Sequence, residues 1–265
     1  MVVPLGRGGV DARTARALPF LVELVGPAGA GKTTLFWALS RRSGRILHGS
    51  LPYYRGLADM PFYVRNGLLL TPTLLRLCQT NGRRLTRREV AWMAILQGWH
   101  SAVRQRASSS STAIVLDQGP VFLLARLFWL GPEGLRGQTA EKWRKSMYAH
   151  WAAALDLVVW LDASDAVLLA RIRTRDKWHA VKDRSESEAL EFLSRYRAAY
   201  GQVMAALTAN GGGPKVLRVD TARESLEGVV DRALVELGLG DSREGACVAV
   251  PITPTVAQPG AEQGL

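Results

Sequence analysis

The chain has 265 residues, 34 Lys+Arg against 23 Asp+Glu, and a net charge of +11 at pH 7. A hydrophobic content of 48% with 22% charged residues excludes a mainly disordered or fibrous chain. No apolar run approaches the roughly 18 residues of a membrane-spanning helix, and the longest, Val121 to Leu130, is broken by Arg126.

In chain order, residues 1–18 read as a mobile arm containing Gly and Arg. Pro19 to Gly26 is a short apolar run ending in glycine, the pattern of a buried strand, and Lys32 to Arg42 sets Leu35, Phe36 and Leu39 on one helical side. Because the first apolar stretch, Leu18 to Val25, runs into a glycine loop rather than a cleavage site, no secretion signal is expected. Residues 44–86 are rich in Gly, Pro and aromatics and support one element only, a second strand within Arg45 to Leu51. Arg87 to Arg106 carries an apolar stripe of Val90, Met93, Leu96, Trp99 or His100, and Val103, and reads as a helix. After the tract Ser108–Ser111, the runs Thr112 to Asp117, Leu155 to Leu161 and Lys215 to Val219 read as buried strands. Helical patterns fill 120–130, 138–154, 165–175, 186–209 and 223–237. Uniformly apolar strands alternating with helices predict an α/β domain over 19–238, with a parallel sheet covered on both faces. Residues 239–265 read as a disordered tail. Cys78 and Cys247 lie far apart without metal-ligand spacing, which predicts a reducing, cytoplasmic setting and no disulfide framework.

The segment Gly26-Pro27-Ala28-Gly29-Ala30-Gly31-Lys32-Thr33 fits G-x-x-x-x-G-K-[ST] and is followed by Thr34. Glycines let backbone N–H groups curl around a β-phosphate, and Lys32 brings a positive charge to the β/γ oxygens. The Thr33 hydroxyl can ligate Mg²⁺, and the helix that follows turns its N-terminus to the anion. A coincidental Gly-rich turn would not need the strand before it and the helix after it. Gly26 to Thr34 are therefore the expected ATP-binding residues, with ATP and Mg²⁺ as cofactors. Asp117 ends the run Ile114-Val-Leu-Asp. There it can hold Mg²⁺ through water or take a proton from an acceptor hydroxyl, the plainer role being a helix cap. Asp162, at the end of the next run, reads chiefly as a cap.

Four stretches resemble the thymidylate kinase-like group of P-loop kinases, which includes nucleotide monophosphate and deoxynucleoside kinases. They are GPAGAGKTT (26–34), LDQGP (116–120), VVWLDASDAVLLARIRTRDKWH (158–179) and VLRVDTARESLEGVVDRAL (216–234). The resemblance covers roughly 19–42 and 112–237. It implies a three-layer P-loop NTPase fold with a five-stranded parallel sheet, a helical acceptor-binding insertion at 43–106 and a lid at 171–186. Arg171 and Arg175 match the lid arginines, which neutralise the transferring phosphoryl group, and Arg173, Lys177, His179, Lys182 and Arg184 add charge or polarity. Asp220-Thr221-Ala222 resembles the turn beside the adenine. One departure stands out: the family carries an Arg after the strand-end acid, and here that residue is Gln118.

The charge is local. Residues 41–106 hold twelve Arg against Asp59 and Glu89, a net +10, while Arg outnumbers Lys 28 to 6 throughout. A GC-rich genome explains Arg over Lys but not the missing acids. The first reading is a phosphotransferase whose small, anionic acceptor is held by this segment. Gln97 and Trp99 can pair with or stack on it, although packing roles fit both as well. An alternative is an ATPase or nucleotide-gated module in which Tyr63 to Leu70 and Leu74 to Leu77 meet an anionic membrane surface or a protein. Nucleic acid is not an expected partner, because no recognition motif accompanies the charge. The oligomeric state stays open, a homodimer included.

Overall fold

The computed structural model describes residues 19–49, 52, 59–80, 85–106, 113–131, 135, 137–176, 178–209 and 211–239. The arm expected at 1–18, all of the expected tail beyond Leu239, and Lys177 lie outside them. Five strands, β1 (Phe20–Val25), β2 (Ile46–His48), β3 (Ala113–Leu116), β4 (Leu157–Asp162) and β5 (Lys215–Asp220), form one parallel sheet in the order β2-β3-β1-β4-β5. The helices are α1 (Lys32–Arg42), α2 (Met60–Thr80), α3 (Arg87–Arg106), α4 (Pro120–Phe128), α5 (Gln138–Ala154), α6 (Asp165–Thr174), α7 (Glu186–Thr208) and α8 (Leu226–Glu236). The expected α/β class and three layers hold. Among the described residues no helix is long and apolar enough to cross a membrane.

Alternation along the strands divides the core in two. Val22 and Leu24 of β1, with Val115, Val159 and Leu161, pack under α1, α6 and α8. Leu21 and Val25, with Ile114, Leu116, Val158 and Trp160, pack under α3, α4, α5 and the second half of α7. Both faces of β1, β3 and β4 are covered, so these strands are apolar almost throughout, and the one charge within β1, Glu23, is fully buried. Strand β5, expected as a buried strand, lies at the sheet edge, carries Lys215, Arg218 and Asp220 and buries only Val219. The chain leaves β1 toward β2 on one side and returns from β3 to β4 on the other. The crevice at the carboxyl ends of β1 and β3 is therefore a topological switch point, where such sheets bind ligands.

Helix starts carry their own signals. Thr86 and Glu89 cap α3 reciprocally: the Glu89 carboxylate accepts from the Thr86 N–H at 2.7 Å and the Thr86 hydroxyl accepts from the Glu89 N–H at 3.2 Å. Ser185 and Glu188 do the same for α7, and the Ser225 hydroxyl accepts from the Gly228 N–H of α8. Helix α2 was not legible in the sequence. Pro72 sits inside it, and Met60, Val64, Leu68, Leu69 and Leu75 are exposed on it, so its apolar residues do not mark a single buried face. Asn66, Leu70 and Leu77 are its buried side chains, and the helix packs on α3 and α5. A Cβ on Gly98 of α3 would lie 2.2 Å from the Asn66 side-chain oxygen, so the two helices meet where α3 has no side chain.

Leu124 of α4 is fully buried in the larger core. Leu124→Ala should lower the unfolding free energy by about 2–5 kcal/mol, read from urea denaturation followed by circular dichroism.

Candidate functional site

The loop between β1 and α1 is shaped by glycine. Gly26, Gly29 and Gly31 have φ of 150°, 82° and 87°, a region L side chains rarely adopt. At two of these positions space is also closed: a Cβ on Gly26 would lie 2.1 Å from the Leu161 carbonyl oxygen, and one on Gly29 2.9 Å from that of Leu168. The loop is thus wedged between β4 and α6. Lys32 folds back over it, its Nζ donating to the carbonyls of Gly26 at 2.8 Å and Pro27 at 3.0 Å. Thr33 opens α1, and its hydroxyl donates to Asp117 Oδ2 at 2.9 Å.

That bond joins the two halves of the expected cation site. Asp117 Oδ1 is buried with no hydrogen-bond partner, a costly arrangement for a carboxylate unless a cation or a water bound to one satisfies it. Mg²⁺ suits this donor set, because it is held by one or two protein oxygens plus phosphates and waters rather than by a cage. Among the described residues no cluster of three or more metal-ligating side chains exists.

Asp117 and Gln118 are held in place from below. Glu23 of β1 accepts from the N–H groups of Gly119 (2.9 Å), Val121 (2.8 Å) and Phe122 (3.1 Å), the donors that the first turn of α4 leaves unpaired. Pro120, with no N–H, sits at the start of that turn. Gly119 leaves room for the carboxylate, since a Cβ there would lie 2.4 Å from it. Burial pushes the Glu23 pKa up to about 8, although all three N–H bonds pull it down. The Tyr200 phenol beside it, wholly buried, is raised well above 10 by burial first and then by its Tyr196 and Glu23 neighbours.

The two lid arginines differ. Arg171, in the last turn of α6, donates to the Gly29 carbonyl (3.3 Å), the Thr221 hydroxyl (2.8 Å) and the Thr221 carbonyl (2.9 Å). It ties the phosphate loop to the turn after β5. Arg175 follows the helix end, and its Nε and Nη2 are shielded from solvent with no hydrogen-bond partner. Of the other expected lid residues, Arg173 and Arg184 are exposed, His179 is buried, and Lys182 Nζ donates to the Arg175 carbonyl at 2.7 Å. Asp162 does more than cap. Its carboxylate accepts from the Ala163 N–H and, through both oxygens, from Arg197 Nε, while Arg197 also reaches Asp165 and the Ala163 carbonyl. This network fastens α7 to the root of α6.

Three cavities run along the sheet's carboxyl edge. The first, about 540 Å³, lies over the phosphate loop, with Arg171 and Arg175 above it and Thr221, Leu226 and Val229 at its far end. The second is narrow, about 60 Å³, and is bounded by Glu23, Phe122, Arg126, His179, Tyr196 and Tyr200. Ala28, Lys32, Asp117 and Gln118 belong to both. The third, about 670 Å³, opens outward between α3, α4 and α7 and shares Arg126, Phe192 and Tyr196 with the second. Arg126 stands at that junction, 2.5 Å from the Tyr196 hydroxyl and with its guanidinium 5.5 Å from the Trp92 ring centre.

The arginines of 41–106 do not gather in these cavities. Of those described, Arg88 alone lines the outer one, where it joins Arg126, Arg184 and Arg195. Arg104 donates to the Ala154 carbonyl, Arg42 pairs with Asp231, and Arg65 and Arg76 lie exposed on α2. Trp99 is buried in the core and Gln97 accepts from the Trp143 indole at 3.4 Å, so both have packing roles. Glu23, Arg126, Tyr196, Tyr200 and Arg197 were missed in the sequence. For the first two a signal existed, a lone acid in an apolar strand and a lone Arg in an apolar helix.

Residues 21–199 match the AAA domain family. The chain belongs to that family. Solved structures similar to this AAA domain include thymidylate kinase from Candida albicans, 14% identical, with 84% of this chain and 92% of that one covered at a TM-score of 0.49. Deoxyadenosine kinase from M. mycoides, with products dCMP and dCDP bound, is 16% identical over 83% and 99% at 0.43. Shikimate kinase from Bacteroides thetaiotaomicron is 16% identical over 83% and 99% at 0.46. No curated protein sequence matches the chain. The strand order, the phosphate loop and the arginine-bearing segment after β4 give this AAA domain the P-loop kinase fold, the group its sequence resembles.

A carboxyl with a raised folded-state pKa holds a proton that the unfolded chain has lost. Its contribution is complete below about pH 4.5 and disappears as pH rises toward about 8. Unfolding free energy should therefore fall across that window, by at most about 1.4 kcal/mol per pH unit from this group. Glu23→Gln should flatten the decline, as read from denaturant midpoints at a series of pH values.

Proposed function

We propose that this AAA domain is an ATP-dependent phosphotransferase that moves the γ-phosphoryl group, with Mg²⁺, to a small anionic acceptor. The observation that carries the reading is the shared wall. The large cavity over the phosphate loop and the narrow one beside it meet at Ala28, Lys32, Asp117 and Gln118. A phosphoryl donor on one side and an acceptor on the other would touch the same four residues. A nucleotide-gated module needs the first cavity but has no use for the second.

The base and sugar of ATP would lie toward Thr221, Leu226 and Val229, with the phosphates in the curl of Gly26–Thr34. Mg²⁺, held by Thr33 and Asp117, would neutralise charge on the β- and γ-phosphates. Lys32 would leave the Gly26 and Pro27 carbonyls for the β/γ oxygens. Arg175, with two unpartnered donors, would reach the γ-phosphoryl, where charge develops during transfer. Arg171, already bonded at both ends, would hold the root of the lid. The acceptor oxygen forms a bond to the γ-phosphorus as the bond to the β–γ bridging oxygen breaks. If the acceptor is a hydroxyl, its proton passes to Asp117 or to water. Arg126 and the arginines of the outer cavity suit a carboxylate or phosphate on the acceptor's far end, and Trp92, Phe192 and Tyr196 give it flat apolar walls. ATP supply and a free, exposed Cys78 thiol fit a cytoplasmic setting.

Purified protein with Mg·ATP should phosphorylate one member of a panel of nucleotides, nucleosides, sugar phosphates and antibiotics, and Lys32→Ala should abolish the turnover. Nucleotide binding without transfer to any of them would overturn the reading. Arg175→Ala should lower kcat by about 10²–10³ with little change in KM for ATP. Arg171→Ala should instead raise KM for ATP and loosen the lid, seen as faster proteolysis after residue 175.

A further inference from the structure

We propose that the outward face of α2 docks on an anionic lipid bilayer, with the helix lying flat in the membrane interface. The observation is an apolar surface in the wrong place. Helix α2 already has a buried face, where Asn66, Leu70 and Leu77 meet its neighbours. Its opposite face should be polar if water were its only environment. Instead Met60, Val64, Leu68 and Leu75 are exposed at 46%, 55%, 70% and 58%. Spacings of four, four and seven residues keep all four on one side, a stripe about 22 Å long. Pro61 and Pro72, which have no N–H to offer to water, are exposed on the same side. Leu69 is 59% exposed on one shoulder, and the exposed Arg65 and Arg76 share that shoulder at helical spacing.

Charge selects the occupant. Residues 60–88 contain six Arg and no acid. A second copy docking symmetrically would bring the two arginine shoulders together, with no carboxylate on the helix to oppose them. A bilayer carrying anionic headgroups suits both features, acyl chains meeting the leucines and phosphates meeting the positive shoulder. The helix does not span, being too short of apolar residues. It lies on the membrane. The exposed arginines of α2, which line none of the three cavities, acquire a role. The inference is independent of the phosphotransferase reading.

The test is sedimentation of the full chain with phosphatidylcholine vesicles, with and without phosphatidylglycerol, at low and physiological salt and without ATP. Pelleting is expected only with phosphatidylglycerol and should weaken as salt rises. Leu68→Gln with Leu75→Gln should weaken vesicle binding by about tenfold or more, and Arg65→Glu with Arg76→Glu should remove the response to phosphatidylglycerol. All four positions are exposed, so both variants should keep the wild-type circular dichroism spectrum and ATP affinity. No pelleting on phosphatidylglycerol vesicles, or equal pelleting of the leucine variant, overturns the proposal. So does sedimentation equilibrium showing a dimer that the leucine variant dissociates, since a second copy would then cover the face. Leu68→Ala with Leu75→Ala, which adds no polar group, gives the same comparison if the glutamine variant misfolds.

Discussion

Three backbone N–H groups converge on the one buried carboxylate of β1, and the spacing of the whole site follows from that convergence. Glu23 lies two residues before the end of its strand and bonds the first turn of α4. It thereby sets Asp117 and Gln118, which precede that turn, at a constant height above the phosphate loop that follows β1. The Thr33–Asp117 hydrogen bond is the visible result. A helix start capped by its own serine or threonine would have served the helix equally. It would not have tied β1 to the turn and helix that follow its neighbour β3.

Much of this was legible in the residues. Strands β1, β3 and β4 announced themselves as apolar runs, because a strand covered on both faces has no polar side to show. The phosphate loop was legible because its geometry demands glycine, at Gly26 where a Cβ would meet a carbonyl and at Gly31 where φ is 87°. The reach of Asp117 followed from its place at a strand end. Helix α2 was hidden for two reasons, a proline within it and an exposed side that mixes leucines with arginines. Arg197 and Tyr196 were hidden for another. Each acts on a residue more than thirty positions away in sequence, and spacing along one helix says nothing about what lies across the cleft.

The charge asks for a different account from the one composition suggests. Of the described arginines of the basic segment, Arg88 alone lines the outer cavity, beside Thr86, Glu89 and Trp92 of the same segment. The arginines that converge there come from α3, α4 and α7 and from the turn before α7. Those of α2 face outward. A net charge concentrated in one stretch of sequence is thus divided in space between a cavity and a surface, and a single role cannot be read from it.

The cradle for phosphate is made of main chain: glycine dihedrals, carbonyls and N–H groups, with one lysine and one threonine. The outer cavity is made of side chains from three helices. Substitution acts on these two constructions very differently. A side chain at Gly26 or Gly29 would run into a carbonyl oxygen, whereas Trp92, Arg126, Phe192 and Arg195 lie outside the sheet and its loop. A lineage carrying this domain can therefore drift in what it recognises at one end and still keep hold of the same nucleotide at the other. Change around Arg126 would then alter what the outer cavity admits and leave the loop after β1 as it is.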